Sequence, residues 1–227
     1  METLHQHNLF FLSGPHGSGK TTLGKRLAEH NPLVFLPELY SRNVKFDTDP
    51  EPRMFLKLCG RAIENFEYMK IASENPHRLI IGNRCIYDAL SYNKVYLEKG
   101  WISRELFDKI NNYSNDFFVE KNPSAIIVNP GFDVIKNHLL KRWSEAGKKW
   151  REDDLEYLHL ACKTYACLRE NKDILYVEQE IDHNDMGALE RICDWMMQKS
   201  QKKGMKIISY DADQISQQHK SLCVSPH

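Results

Sequence analysis

The chain has 227 residues, enough for one sizeable α/β domain. Hydrophobic residues make up 41% and charged residues 27%, the balance of a packed domain rather than a disordered chain. Lys+Arg and Asp+Glu are equal at 31 each, and this zero net charge argues against a protein built mainly to coat nucleic acid or an anionic membrane.

Along the chain, five short apolar runs alternate with longer amphipathic stretches. The runs are Leu9–Leu12, Leu33–Leu36, Leu79–Ile81, Ala125–Val128 and Ile174–Val177, each bounded by Gly, Pro, Asn or charge. Such runs read as buried parallel strands. Helical patterns lie between them: Lys20–His30, Met54–Ala72, a pair within Tyr87–Glu120, Val134–Arg142 and Asp154–Arg169, then a last helix over Met186–Lys199. The alternation predicts an α/β fold with a central five-stranded parallel sheet and helices on both faces. The domain is expected over residues 1–200. Residues 201–227 form a polar extension in which Met205–Ser209 reads as an edge strand and the rest as a mobile tail.

No apolar run approaches the roughly 20 residues that span a bilayer, and the first residues lack the basic-then-apolar layout of a secretory signal. A cytoplasmic location is therefore expected. Cys59, Cys85, Cys162, Cys167, Cys193 and Cys223 show no paired metal spacing and are expected to be free thiols.

One motif is specific. Gly14-Pro15-His16-Gly17-Ser18-Gly19-Lys20-Thr21, with Thr22 just beyond, fits G-x-x-x-x-G-K-[ST] at every fixed position. Glycines let the backbone curl so that successive N–H groups point at phosphate oxygens. Lys20 supplies positive charge to the β- and γ-phosphates, Thr21 a hydroxyl for Mg²⁺, and the helix that follows its positive end. An apolar strand before and an amphipathic helix after are the context the motif needs, so ATP with Mg²⁺ is the expected ligand.

A P-loop alone does not separate its user classes. A GTPase wants N-K-x-D after a strand. Asn171-Lys172-Asp173 comes near, but Ile174 takes the Asp position and the triplet precedes a strand. Large ATPases and helicases want more chain and a strand ending in adjacent acids, whereas the third run ends Ile81-Gly82-Asn83-Arg84.

Three further segments carry a family likeness: Pro37-Glu38-Leu39-Tyr40, Asn83-Arg84-Cys85-Ile86-Tyr87-Asp88, and Lys141-Arg142 through Lys148-Lys149-Trp150-Arg151-Glu152-Asp153-Asp154 into Leu155-Glu156-Tyr157-Leu158. In this order, from the P-loop to about Lys199, the layout resembles the deoxynucleoside kinase and thymidylate kinase superfamily. The resemblance implies the P-loop kinase fold with a helical lid over about residues 141–154. It implies Glu38 as the strand-end base, Arg84 beside the transferring phosphoryl group, and Arg142 and Arg151 as lid cations. Arg61 falls about where thymidylate kinases grip the acceptor's phosphate. A homodimer is implied by resemblance only. The sequence departs from the pattern at Asn83, where either family has an acid that helps hold Mg²⁺; Glu38 through water, or Asp88, is a possible substitute.

Residue chemistry supports the same roles. Phosphoryl transfer is mostly positioning and charge neutralisation, which Lys20, Arg84, Arg142 and Arg151 can supply. Glu38 stands at the carboxyl end of a strand, where α/β sheets hold ligands, and can orient or deprotonate a hydroxyl. Tyr40, Phe55, Tyr87 and Tyr92 can stack on a base, though core packing is the ordinary role of such aromatics. The expected function is transfer of the γ-phosphoryl group of ATP to a nucleoside or nucleoside monophosphate, with no polymeric nucleic acid and no membrane as partner. A nucleotide-binding regulator without catalysis, and a kinase for another small metabolite, stay open, as do base and sugar preference.

Overall fold

The computed structural model describes residues 7–39, 49–118, 122–148, 151–181 and 185–202. In chain order the elements are β1 (Leu9–Ser13), α1 (Lys20–His30), β2 (Val34–Phe35), α2 (Pro50–Glu74), β3 (Leu79–Asn83), α3 (Ile86–Glu98), α4 (Arg104–Phe117), β4 (Ala125–Val128), α5 (Phe132–Ala146), α6 (Leu155–Ala166), β5 (Ile174–Val177) and α7 (Met186–Lys202). The strands form one parallel sheet in the order β2-β3-β1-β4-β5.

The apolar runs make strands because both their faces are covered. In β1, Leu9 and Phe11 enter one core with Met54, Leu58, Tyr92, Tyr157 and Tyr165. Phe10 and Leu12 point the other way, into a core with Leu23, Leu27, Leu189, Ile192 and Met196. The period-two alternation thus sends helices α2 to α6 to one face and α1 and α7 to the other.

Element existence follows the predicted pattern, and the differences lie at the ends. α2 begins at Pro50 rather than Met54, because a proline in the first turn loses no intrahelical bond. α5 runs four residues beyond Arg142 and stops at Gly147, whose φ of +75° ends the helix. Ser103 and Asp154 cap α4 and α6 by accepting from Leu106 N and Tyr157 N. The expected strand at Met205–Ser209 and the tail lie outside the described residues. No described helix is long and apolar enough to cross a membrane. Cys59, Cys85, Cys162, Cys167 and Cys193 are free thiols.

The sheet order sets the site. β3 lies directly beside β1, with Leu12 opposite Asn83. The carboxyl ends of β1, β2 and β3 therefore bring the P-loop, Glu38 and Asn83–Arg84 to one edge, where parallel sheets bind ligands.

Candidate active site

The P-loop leaves β1 and turns into α1. Gly14 is required there: its φ is +142°, and a Cβ would sit 2.2 Å from the carbonyl oxygen of Val128 on β4. The Lys20 ammonium is folded into the loop. It donates to Gly14 O (3.0 Å), Pro15 O (2.6 Å) and Ser18 Oγ (3.1 Å). Burial, then the nearby Arg84, pull its pKa well below that of an ordinary lysine. A lysine so placed gains from any phosphate that restores favourable surroundings for its charge.

From α5, His138 reaches the loop. Its Nδ1 lies 2.9 Å from Gly17 O and its Nε2 2.8 Å from a Glu180 carboxylate oxygen. These residues share a cavity of about 460 Å³ with the P-loop, Arg26, Asn83, Arg84, Arg142 and Glu152. That volume suits a nucleotide-sized ligand. Arg26 closes one end by donating to Ile181 O at 2.8 Å. Neither His138 nor Glu180 belongs to a local motif, so neither is legible in the sequence.

Arg84 is the most constrained residue of the site. Its φ of +67° is left-handed, a conformation that costs a non-glycine residue about 1–2 kcal/mol. Three contacts hold it there: its N–H donates to Leu12 O (2.9 Å), its carbonyl accepts from Asn65 Nδ2 (3.2 Å), and its Nη1 donates to Asp88 Oδ1 (2.7 Å). Asp88 is fully buried. It also accepts from Ser13 Oγ, from Cys85 N (3.0 Å) and from the Tyr165 hydroxyl (2.6 Å). Burial opposes the Asp88 charge, but Arg84, Arg61 and these donors prevail, and its pKa falls below the usual carboxylate value. Burial likewise opposes the Arg84 charge, and Asp88, Tyr92 and Tyr165 together more than offset it, so its pKa rises. Asp88 therefore positions Arg84. Its two oxygens are taken by four donors and it lines neither large cavity, which corrects the expectation that it substitutes for the missing magnesium acid.

A second cavity, about 440 Å³, is lined by Lys20, Thr21, Glu38, Tyr68 and Asn83 among others. Lys20, Thr21 and Asn83 belong to both cavities, so the Glu38 carboxylate faces the same space as the P-loop lysine and threonine. Among the described residues no cluster of three His, Cys, Asp or Glu side chains can hold a metal by itself. Thr21, Asn83 and Glu38 nonetheless suit Mg²⁺, which keeps waters and phosphate oxygens and takes few protein ligands.

The expected lid residues divide. Arg142 lines the P-loop cavity and ion-pairs with Glu152, a nearly fully buried carboxylate that also accepts from Trp143 Nε1 at 3.3 Å. Arg151 does not line it. Its φ is +49° and its guanidinium stacks over Trp101, 4.2 Å from the ring centre. Lys149 and Trp150 lie outside the described residues.

The aromatic candidates divide as well. Tyr40 lies outside the described residues. Phe55 sits on the outer face of α2 against Tyr113 of α4, their ring centres 5.9 Å apart, and lines no cavity. Tyr87 is core, with its hydroxyl 3.3 Å from Asn171 Nδ2. Helix phase explains both: residues 54, 58, 61 and 62 of α2 face inward, so 55 faces out. Tyr92, the fourth aromatic candidate, does line a cavity: with Tyr96 and Tyr157, which the sequence did not single out, it surrounds His16, Lys57 and Arg61 in a third, narrow cavity. His16 packs on Tyr92 (5.1 Å) and Tyr157 (6.2 Å). Burial, followed by Arg84 and Lys57, drives its pKa well below the ordinary value, so it is a neutral ring at physiological pH.

Comparison with known proteins agrees with this architecture. The model of the AAA domain family matches residues 9–170. No curated protein matches. Among solved structures, deoxyadenosine kinase from M. mycoides with bound dATP is similar at a TM-score of 0.63 and 15% identity, covering 83% of this chain and 98% of that one. The same enzyme with bound dCTP gives 0.58 at 13% identity, covering 84% and 99%. With products dCMP and a flexible dCDP it gives 0.55 at 14%, again over 84% and 99%. At such identities the likeness is one of fold.

Proposed function

This chain belongs to the AAA domain family, and from that premise we propose that it is a phosphotransferase moving the γ-phosphoryl group of ATP to a nucleoside or nucleoside monophosphate. One observation carries the reading. Lys20, Thr21, Asn83 and Glu38 line one cavity, and the first three also line the nucleotide-sized cavity with Arg84 and Arg142. A donor cradle and a carboxylate thus open on one space, as in-line transfer requires.

In this reading the P-loop N–H groups and Lys20 hold the β- and γ-phosphates. Arg84, fixed by Asp88, and Arg142, fixed by Glu152, neutralise charge that develops on the equatorial oxygens. Glu38 orients a hydroxyl acceptor and takes its proton. Thr21, Asn83 and Glu38 would hold Mg²⁺, which would supply positive charge to the phosphate oxygens. Arg151 acts only if the lid moves it off Trp101. The homodimer would pack on the exposed Phe55, Ile63 and Phe66 of α2 and Tyr113 and Phe117 of α4, and sedimentation of the purified chain tests it.

A coupled ADP-release assay over nucleosides, nucleoside monophosphates and other small hydroxyl compounds tests the proposal. Acceptor-dependent release above background is expected. Tight ATP binding with no release for any acceptor would instead support a second reading, a nucleotide-binding regulator, which the neutral Asn83 favours.

A further inference from the structure

Helix α5 meets the P-loop at Gly17. A Cβ there would sit 2.8 Å from Leu139 Cγ and 3.4 Å from Ile135 O, so the loop is seated on the helix with no room for a side chain. Beside this contact the His138 ring bridges two oxygens. Its Nδ1 lies 2.9 Å from Gly17 O and its Nε2 2.8 Å from a Glu180 carboxylate oxygen. Glu180 follows β5, and its neighbour Ile181 accepts from Arg26 of α1. The contacts close a circuit: the P-loop leads into α1, α1 holds the segment after β5, that segment holds α5, and α5 holds the P-loop.

The bridge has a chemical requirement. A carbonyl oxygen only accepts, and so does an ionised carboxylate. Both ring nitrogens must then donate, and a histidine donates from both only as the imidazolium. A neutral ring keeps one of the two bonds and sets a nitrogen lone pair against an oxygen lone pair at the other. The remaining charged groups on this cavity are Lys20 and Arg26 of α1, Arg84 after β3, Arg142 one turn along α5, and Glu152 ahead of α6. Lys20 lies on loop carbonyls, Arg26 on Ile181 O, Arg84 on Asp88, and Arg142 on Glu152. Lys141, on the same helix as His138, is exposed. Glu180 is the carboxylate that meets the ring.

We propose that His138, in its doubly protonated form, is a positioning residue for the nucleotide: clamped by Glu180, it holds the Gly17 carbonyl and keeps the P-loop in the shape that receives a triphosphate. The second proton on the ring and the nucleotide in the cradle then favour each other reciprocally. The inference rests on the reading of the P-loop cavity as the ATP site and adds the group that sets the loop's shape. As pH rises and the ring loses its second proton, the bridge breaks at one end. The loop loses its restraint from α5, and binding must then re-order it. An amide in place of the Glu180 carboxylate removes the requirement. Its NH₂ donates to an unprotonated Nε2 while Nδ1–H still donates to Gly17 O, so the neutral ring completes both bonds.

The test is calorimetric titration of the full chain with a non-hydrolysable ATP analogue and Mg²⁺ between about pH 6 and about pH 8.5, a range wide enough for histidine proton exchange. The parent chain should lose affinity on the order of fivefold across it. His138→Leu should bind weakly throughout and lack that loss. Glu180→Gln should keep the acid-side affinity of the parent throughout. Titration of the analogue's phosphates and of Lys20 is common to the three chains and cancels in the comparison. A loss of the same size in all three overturns the clamp and leaves the ATP-site reading standing. A loss that persists in Glu180→Gln also overturns it, because the proton would then act by direct attraction between imidazolium and phosphate. Absence of binding at every pH overturns the ATP-site reading and the clamp together.

Discussion

The P-loop and the aromatic cavity beside it, the donor and acceptor halves in the proposed reading, are built by opposite means. The donor half is one contiguous loop whose shape is fixed by backbone: Gly14 against Val128, Lys20 on two loop carbonyls, and the Gly17 carbonyl on His138. The acceptor half has no such loop. It gathers side chains from α2, α3 and α6, far apart in the chain, around His16. A backbone cradle can be specified by a short motif, because each residue answers to its neighbours. A side-chain cavity answers to the packing of whole helices and leaves no compact signature.

This contrast can be broken at points of decreasing severity. Lys20→Ala strikes the donor half directly and should abolish ATP binding and lower kcat/KM by about 10³-fold or more. Equilibrium ATP titration and steady-state kinetics check it, and surviving turnover would remove the P-loop from the reaction. Asp88→Asn strikes the hinge between the halves. It leaves Arg84 buried without its counter-charge and should cost about 3–5 kcal/mol in denaturant unfolding, as breaking a buried pair does. Unaltered stability would show that Asp88 does not hold Arg84.

Glu38→Gln keeps the shape and removes the charge. With a hydroxyl acceptor kcat should fall about 10²-fold with KM nearly constant, and an unchanged kcat would end the base role. With a phosphate oxygen as acceptor there is no proton to remove, so a small effect there would point to a nucleoside monophosphate as the acceptor.

The smallest effect concerns stability. The Lys57 pKa is about 6 in the folded chain, below the ordinary 10.5. The unfolded chain then binds more protons at this group between those values, so its destabilising effect is fully present below about pH 6 and is lost as pH rises toward 10.5. Lys57→Met should therefore stabilise by about 1–2 kcal/mol at pH 6 and progressively less at pH 9. Thermal melts across that range check the sign.

The sequence made the donor half readable because each ingredient was local: an apolar strand, spaced glycines, a lysine and a helix. Arg84 and Glu38 were readable for a related reason, since each follows a strand and all parallel strands end at one edge. Arg61 was readable only through family likeness, and Lys57 beside it was not singled out. Phe55 and Tyr87 show why. An aromatic in a helix faces the site or the solvent according to a phase of about 100° per residue, and an element end misplaced by a few residues conceals that phase.

By itself, then, the sequence determined the strand–helix alternation, the triphosphate cradle and the neutral Asn83 where an acid would serve magnesium. The tertiary structure decided which charges meet. It assigned Asp88 to Arg84 rather than to a metal, Glu152 to Arg142, and Arg151 to Trp101, and it left the α2 cations facing an aromatic cavity. The reason is physical. Backbone conformation is set by neighbours in the chain, whereas charge pairing and pKa are set by neighbours in space and by how much water packing removes.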